Sequence, residues 1–170
     1  MEEAWLSGKI EDVAPVLMPA AHALRQAARD IEKAVEGLSE EELWTNPNGA
    51  ASVGFHLLHV AGSVDRLLTY ARGASLSDAQ FLELAAENES HEAQSAETLA
   101  RRAIERIENA VRVIKQTPVE SLFEERTVGR KRLPTNVFGL LFHIAEHTQR
   151  HVGQIVTTAK IVRGATPGFC

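Results

Sequence analysis

Apolar residues recur along this chain at alternating spacings of three and four, which is the period of an amphipathic α-helix. The pattern predicts four long helices, at about residues 15–36, 52–72, 95–116 and 137–163. Each is followed by a residue that favours helix termination, in order Gly37, Gly73, Pro118 and Gly164. The sequence therefore predicts a set of helices that each bury one face.

The connections between the long helices carry their own signals. Ser39 with Glu42 matches a capping box that opens a short helix, and Ser77 with Gln80 matches another that reaches about residue 87. Residues 123–133 change pattern and predict a small hairpin before the last helix. More than twenty residues join the second and third long helices, which favours a crossover connection. We predict an all-α fold, a four-helix bundle formed as one domain over residues 1–170.

Composition narrows the classes of function. A chain of 170 residues buries enough surface to be stable without disulfides or a structural metal. Its 18 Lys and Arg against 23 Asp and Glu give a net charge of −5, the wrong sign for a general nucleic-acid or membrane-surface binder. The single cysteine, Cys170, excludes an intrachain disulfide and a cysteine zinc cluster. With an acidic N-terminus and no long apolar run, the sequence predicts a cytoplasmic protein without nucleic-acid or membrane partners.

Five of the seven histidines fall in two clusters, and the first lies in the fourth long helix. His151 and His147 project about 40° and 80° to one side of the apolar face, with His143 further round and Gln154 on the same flank. Side chains four residues apart on a helix come within about 5–6 Å at Cβ, close enough for two imidazoles to share one ion. This spacing makes the pair a candidate metal site.

The second cluster, His56 and His59, projects about 60° and 120° to one side of the apolar face of the second helix. A third imidazole is therefore available, and the spacing leaves open which of the two it is. Three neutral imidazoles would leave coordination positions free, as catalytic sites require. The alternative is that the histidines are ordinary boundary residues with hydrogen-bond partners, the interpretation we give to His22 and His91.

Residues 143–147 also spell H-x-x-E-H, the pattern of inverted zinc peptidases. On a helical wheel, at about 100° per residue, Glu146 points away from the core. The residues after His147 supply no acidic third ligand, so the peptidase pattern is the weaker interpretation. The basic run at 126–132 suggests phosphate binding, but a solvated loop is the better interpretation in an acidic chain without a glycine-rich cradle.

Residues 146–154, with H-x-x-x-H-x-G-Q, resemble the fourth helix of the DinB- and YfiT-like superfamily of metal-binding four-helix bundles. The turn at 38–44 and the histidines of the second helix extend the resemblance over most of the chain. The resemblance implies a divalent metal, zinc or nickel, on a triad of His59, His147 and His151. It leaves His56, His143 and Gln154 as supporting residues or alternative ligands, and Gly153 as a site of close helix approach.

The resemblance also implies a metal-dependent enzyme for a small molecule, either a hydrolase or a transferase that uses a low-molecular-weight thiol, and a homodimer. No side chain is assigned a catalytic role, because the activated water or thiol would be the nucleophile. A non-catalytic metal-binding or stress-response bundle is the alternative function. A purely structural domain is a third.

Overall fold

A computed structural model describes residues 3–87 and 94–164 of the chain; His91 and Cys170 lie outside these ranges. The described residues form α1 Met18–Val35, α2 Glu40–Trp44, α3 Val53–Ala71, α4 Asp78–Ala86, α5 Ala96–Gln116 and α6 Val137–Val162. An antiparallel pair of strands, β1 Glu125–Val128 and β2 Leu133–Asn136, precedes α6. The predicted all-α bundle with a small hairpin is confirmed.

Local capping sets the helix starts where the sequence predicts them. The Ser39 hydroxyl accepts a hydrogen bond from the backbone N–H of Glu42, whose carboxylate accepts one from the Ser39 N–H. Ser77 and Gln80 form the same reciprocal pair at the start of α4. Each such cap contributes about 1 kcal/mol, because it satisfies backbone donors that the first helical turn leaves unpaired.

The four long helices pack so that α1 and α3 each contact both α5 and α6. Helix α1 runs parallel to α6, since Gln149 donates to the Ala23 carbonyl, and Arg163, directly after α6, donates to the carbonyl of Glu36, directly after α1. Helix α3 runs antiparallel to α6, as the facing histidines described below show. The two histidine-bearing helices are therefore direct neighbours.

Helices α3 and α5 are parallel neighbours. Asp65 accepts a hydrogen bond from Arg106 at 2.7 Å, and further along both helices Ala71 and Arg112 line one surface cleft. Parallel neighbours require the chain to return along the bundle between them. Helix α4 makes this return, because Gln80 near its start donates to Asp65 while the residue after its end reaches the first half of α3. The predicted crossover connection is confirmed.

Large aliphatic side chains from all four long helices fill the core. The fully buried ones include Leu24, Ile31, Leu57, Leu68, Leu99, Ile107, Leu141 and Ile144. Each contributes about 1.5–3 kcal/mol relative to an exposed side chain. These residues belong to one apolar cluster that joins all four long helices. Among the described helices, none is both long enough and apolar enough to cross a membrane.

Candidate metal centre

Three imidazole rings meet between α3 and α6. One ring nitrogen from each of His59, His147 and His151 lies within 4.8 Å of the other two. The His59 and His147 Nε2 atoms are 3.0 Å apart, and the His151 ring centroid is 4.4 Å from that of His59 and 4.6 Å from that of His147. All three rings keep partial solvent exposure, so the group lies at the edge of the core.

The helix period and the antiparallel packing bring these rings together. His147 and His151 are one turn apart on α6, beside the buried positions Ile144 and Thr148. Along α3 the order is reversed, so that His59 meets His147 while His56 meets His151. The group of three therefore takes two rings from α6 and one from α3.

His56 lies outside the group of three, on its buried side. Its Nδ1 is 3.0 Å from Nδ1 of His151, and the side chain is almost fully buried. One of these two nitrogens donates a proton and the other accepts it, which fixes the orientation of the His151 ring. By position, His59 belongs to the group of three and His56 lies behind it; that His59 is the ligand stays a prediction.

The remaining candidates lie on the outer side of α6. His143 Nδ1 contacts a Glu146 carboxylate oxygen at 2.6 Å, and Arg150 contacts the other oxygen at 2.9 Å. Glu146 therefore lies outside the group of three, as the wheel predicts. Gln154 is exposed, and its supporting role stays a prediction. The interpretation of Gly153 as a close helix contact is wrong, since a Cβ there would meet nothing within 4 Å.

Two buried charged residues that the sequence analysis missed lie behind His59. Its Nδ1 is 2.7 Å from Oε2 of Glu87, and the other carboxylate oxygen of Glu87 is 2.7 Å from Nη1 of Arg66. Glu87 is 5% exposed and Arg66 is 8% exposed. One signal was available: Arg66 is a lone arginine in the largely apolar α3, two turns after His59. Glu87 directly follows α4 and is 28 residues from His59 in the sequence, so no local spacing predicts their contact.

Burial keeps the two α6 imidazoles neutral. It lowers the pKa of His151 to about 3 and that of His147 to about 4, and the neighbouring rings and Arg150 act in the same direction. Burial also lowers the pKa of His56, with a smaller contribution from His59. A neutral imidazole retains a nitrogen lone pair, which is the form that binds a metal ion.

The hydrogen bonds also define where the protons are. Arg150 Nη2 lies 3.1 Å from His147 Nδ1, and a guanidinium can only donate, so neutral His147 carries its proton on Nε2. That proton points to His59 Nε2. Binding of a cation through His147 Nε2 requires the proton to move to Nδ1 and Arg150 to turn away. Arg150 is 62% exposed, which leaves its side chain space to do so.

The donor set suits a borderline divalent ion. Three imidazole nitrogens on two rigid helices are typical ligands for zinc, nickel, copper or iron, and they leave coordination positions for water or substrate. No carboxylate belongs to the group of three among the described residues. The residues present therefore fit the metal that the resemblance implies.

Comparison with known proteins gives the family. The model of the DinB superfamily matches residues 23–155, a range that includes all three rings. No curated protein matches the chain. A solved structure of a DinB-like protein from Bacillus cereus ATCC 10987 is 17% identical, covers 88% of this chain and 96% of that chain, and superposes with a TM-score of 0.60, which shows a shared fold. The chain belongs to the DinB superfamily.

Proposed function

We propose that this protein binds a divalent metal, zinc or nickel, through His59, His147 and His151 and uses it to transform a small molecule. The reaction is either hydrolysis or the transfer of a low-molecular-weight thiol to an electrophile. The observation that carries the proposal is the convergence of three ring nitrogens within 4.8 Å, from two helices of a bundle that needs no metal to fill its core.

The chain contributes neutral donors and a balanced surrounding charge. A bound divalent ion supplies positive charge that lowers the pKa of a water or thiol at the same centre. The three imidazoles do not neutralise that charge, and the nearby Glu87 is paired with Arg66. The protein would thus hold the ion without reducing its strength as a Lewis acid.

Partial exposure of the rings supports catalysis over storage. Closed structural sites use four protein ligands, whereas sites that act on substrates keep a position open. Phe55 stacks on His59 with ring centroids 5.7 Å apart and planes inclined by 16°, and it is itself partly exposed. An aromatic side chain beside an accessible centre provides an apolar wall for a small organic molecule.

Metal content tests the first part of the proposal. We expect near-stoichiometric zinc or nickel in protein purified without a metal-affinity column and loaded with either ion, measured by elemental analysis. His147→Ala removes one of three nitrogens and should abolish retention. His143→Ala is the matched control, one turn earlier on α6, and should retain the metal. Metal that persists in His147→Ala would contradict the assignment.

Turnover separates the reaction types. Metal-loaded protein is assayed with activated esters, and with electrophiles in the presence of a panel of small thiols. Hydrolysis of the esters identifies a hydrolase, and thiol-dependent consumption of the electrophile identifies a transferase. Absence of turnover throughout would contradict the catalytic part and favour the non-catalytic metal-binding bundle.

A further inference from the structure

The geometry points to Glu87, held by Arg66, as a positioning residue that sets His59 for cation binding. The inference rests on the proposed function, since it concerns how one of the proposed ligands is prepared. It assigns a role to a residue of the crossover connection, outside both histidine helices. It also explains why two oppositely charged side chains are buried at the edge of an apolar core.

The hydrogen bond from His59 to Glu87 selects one tautomer. A carboxylate only accepts, so at 2.7 Å the His59 Nδ1 must carry the proton. Nε2 is then left with its lone pair, and this is the atom that faces the His147 ring. A carboxylate behind a ligating histidine fixes the ring orientation and raises its basicity toward a metal.

Arg66 makes this arrangement stable. A buried carboxylate without a cationic partner is strongly destabilising, because its hydration is lost. The Arg66 guanidinium lies 2.7 Å from Oε1, while Oε2 faces His59. Oε2 thus contacts the His59 ring, and Oε1 contacts Arg66 in an ion pair that lacks hydrogen-bond geometry. Rotation of the carboxylate would break both contacts. The pair together carries no net charge.

Gly62 provides the space in which the pair fits. It lies on α3 between His59 and Arg66, and its backbone is ordinary helix, so its conformation does not require glycine. A Cβ at this position would lie 2.5 Å from both Arg66 Nη1 and Glu87 Oε1. Glycine is needed because its missing side chain is where the two charged groups meet.

A purely structural ion pair that fastens α4 to α3 is the competing explanation. Both explanations predict some loss of stability when Glu87 is changed. Only a positioning role predicts a change in the His59 tautomer and a loss of metal affinity larger than the loss of stability. The experiment therefore uses these two measurements.

The tautomer is measured on metal-free protein by long-range ¹⁵N–¹H correlation spectra of the histidine rings. We expect His59 in the wild type to be protonated at Nδ1. In Glu87→Gln the side-chain amide can donate as well as accept, so the preference should weaken and the Nε2-protonated form should grow. Glu83→Gln is the matched control on α4, where Glu83 forms a surface pair with Arg102. A wild-type His59 protonated at Nε2 would overturn the inference, and this holds even if Glu87→Gln does not fold.

Metal affinity is measured by competition of Zn²⁺ or Co²⁺ with a chromophoric chelator. We expect Glu87→Gln to bind about 10–100-fold more weakly, the usual effect of removing such a partner. Gly62→Ala should weaken binding in the same direction while leaving every charge in place. Glu83→Gln should stay within about two-fold of the wild type, because it lies outside the group that prepares the ligand.

The outcomes distinguish this inference from the proposed function. A wild type that binds no metal contradicts the proposed function, while the tautomer measurement still decides on Glu87. A wild type that binds metal, with unchanged affinity in Glu87→Gln, overturns the positioning role and leaves the metal protein intact. Circular-dichroism melting of each metal-free variant shows whether a loss of affinity exceeds a loss of stability.

Discussion

At the residue scale, the three rings of the candidate site differ in the side chain that contacts their Nδ1 atom. These partners differ in chemistry: an anion for His59, a neutral ring for His151 and a cation for His147, namely Glu87, His56 and Arg150. Only the anion favours the tautomer that exposes Nε2 to a metal. If the three rings bind an ion as proposed, only His59 already holds the required tautomer, and His147 would have to rearrange the most.

The lowered pKa values of His147 and His151 predict acid sensitivity of the metal-free protein. Their folded pKa values of about 4 and about 3 lie below the ordinary value, so the unfolded chain binds more protons in the interval between. The contribution of these rings to the free energy of unfolding is therefore complete above about pH 6.5 and declines as the pH falls through the interval. Urea unfolding from about pH 7 to 5 should show this decline.

A substitution assigns the decline to the buried rings. His151→Gln removes one titrating group and should flatten the slope of unfolding free energy against pH. Gln154→Ala, at an exposed position of the same helix, removes no titrating group and should keep the wild-type slope. Equal slopes in the two variants would show that the buried imidazoles are not responsible.

Part of the site follows from local spacing and part does not. The i, i+4 spacing on α6 predicts that His147 and His151 lie side by side, as they do, but the spacing alone does not distinguish a metal site from boundary residues. On α3, the wheel correctly placed His56 nearer the core, but the resemblance was needed to choose His59. Glu87 could not be predicted, because its approach to His59 depends on the path of a long connection and on the absent side chain of Gly62.

At the element scale, helix boundaries were predictable because caps are local. Ser39 and Ser77 satisfy backbone donors within the next turn, and that chemistry is visible in a few residues of sequence. The packing partner of each helix is not visible in this way. That α4 returns the chain along α3 depends on contacts such as Gln80 with Asp65, fifteen residues apart.

Gly153 gives a prediction at this scale. It lies within α6, it is exposed, and a Cβ there would meet nothing within 4 Å. Alanine restricts the unfolded chain and favours helix, so Gly153→Ala should raise the free energy of unfolding by about 0.5–1 kcal/mol. Urea unfolding of metal-free protein measures the change, and metal affinity should be unaltered. A lower stability would show that the glycine is required by a contact absent from this structure.

At the scale of the whole molecule, the apolar core and the histidine group are separable. The core joins all four long helices, whereas the rings join only α3 and α6 at its edge. Fold class followed from periodicity because burial of a continuous stripe on each helix is the main stabilising term. The candidate site adds no periodic apolar pattern to the sequence. It can therefore be predicted only from the type and spacing of the histidines.

This separation predicts the result of metal removal. Chelation should leave the helical circular-dichroism signal in place, because the bundle is complete without an ion. Zinc at about 100 times its dissociation constant should stabilise the native state by about 2.7 kcal/mol, seen as a higher melting temperature. His147→Ala should show no such shift. Loss of helical signal on chelation would instead indicate a structural metal.

His59 and His147 are 88 residues apart in sequence, yet their ring nitrogens are in contact. An ion held between them would therefore close residues 59–147, about half of the chain, into a ring. If a protease cut one peptide bond between residues 59 and 147, the bound ion would still link the two fragments to each other. The cleaved protein would then run as two fragments on a denaturing gel but as one particle in solution with the ion bound.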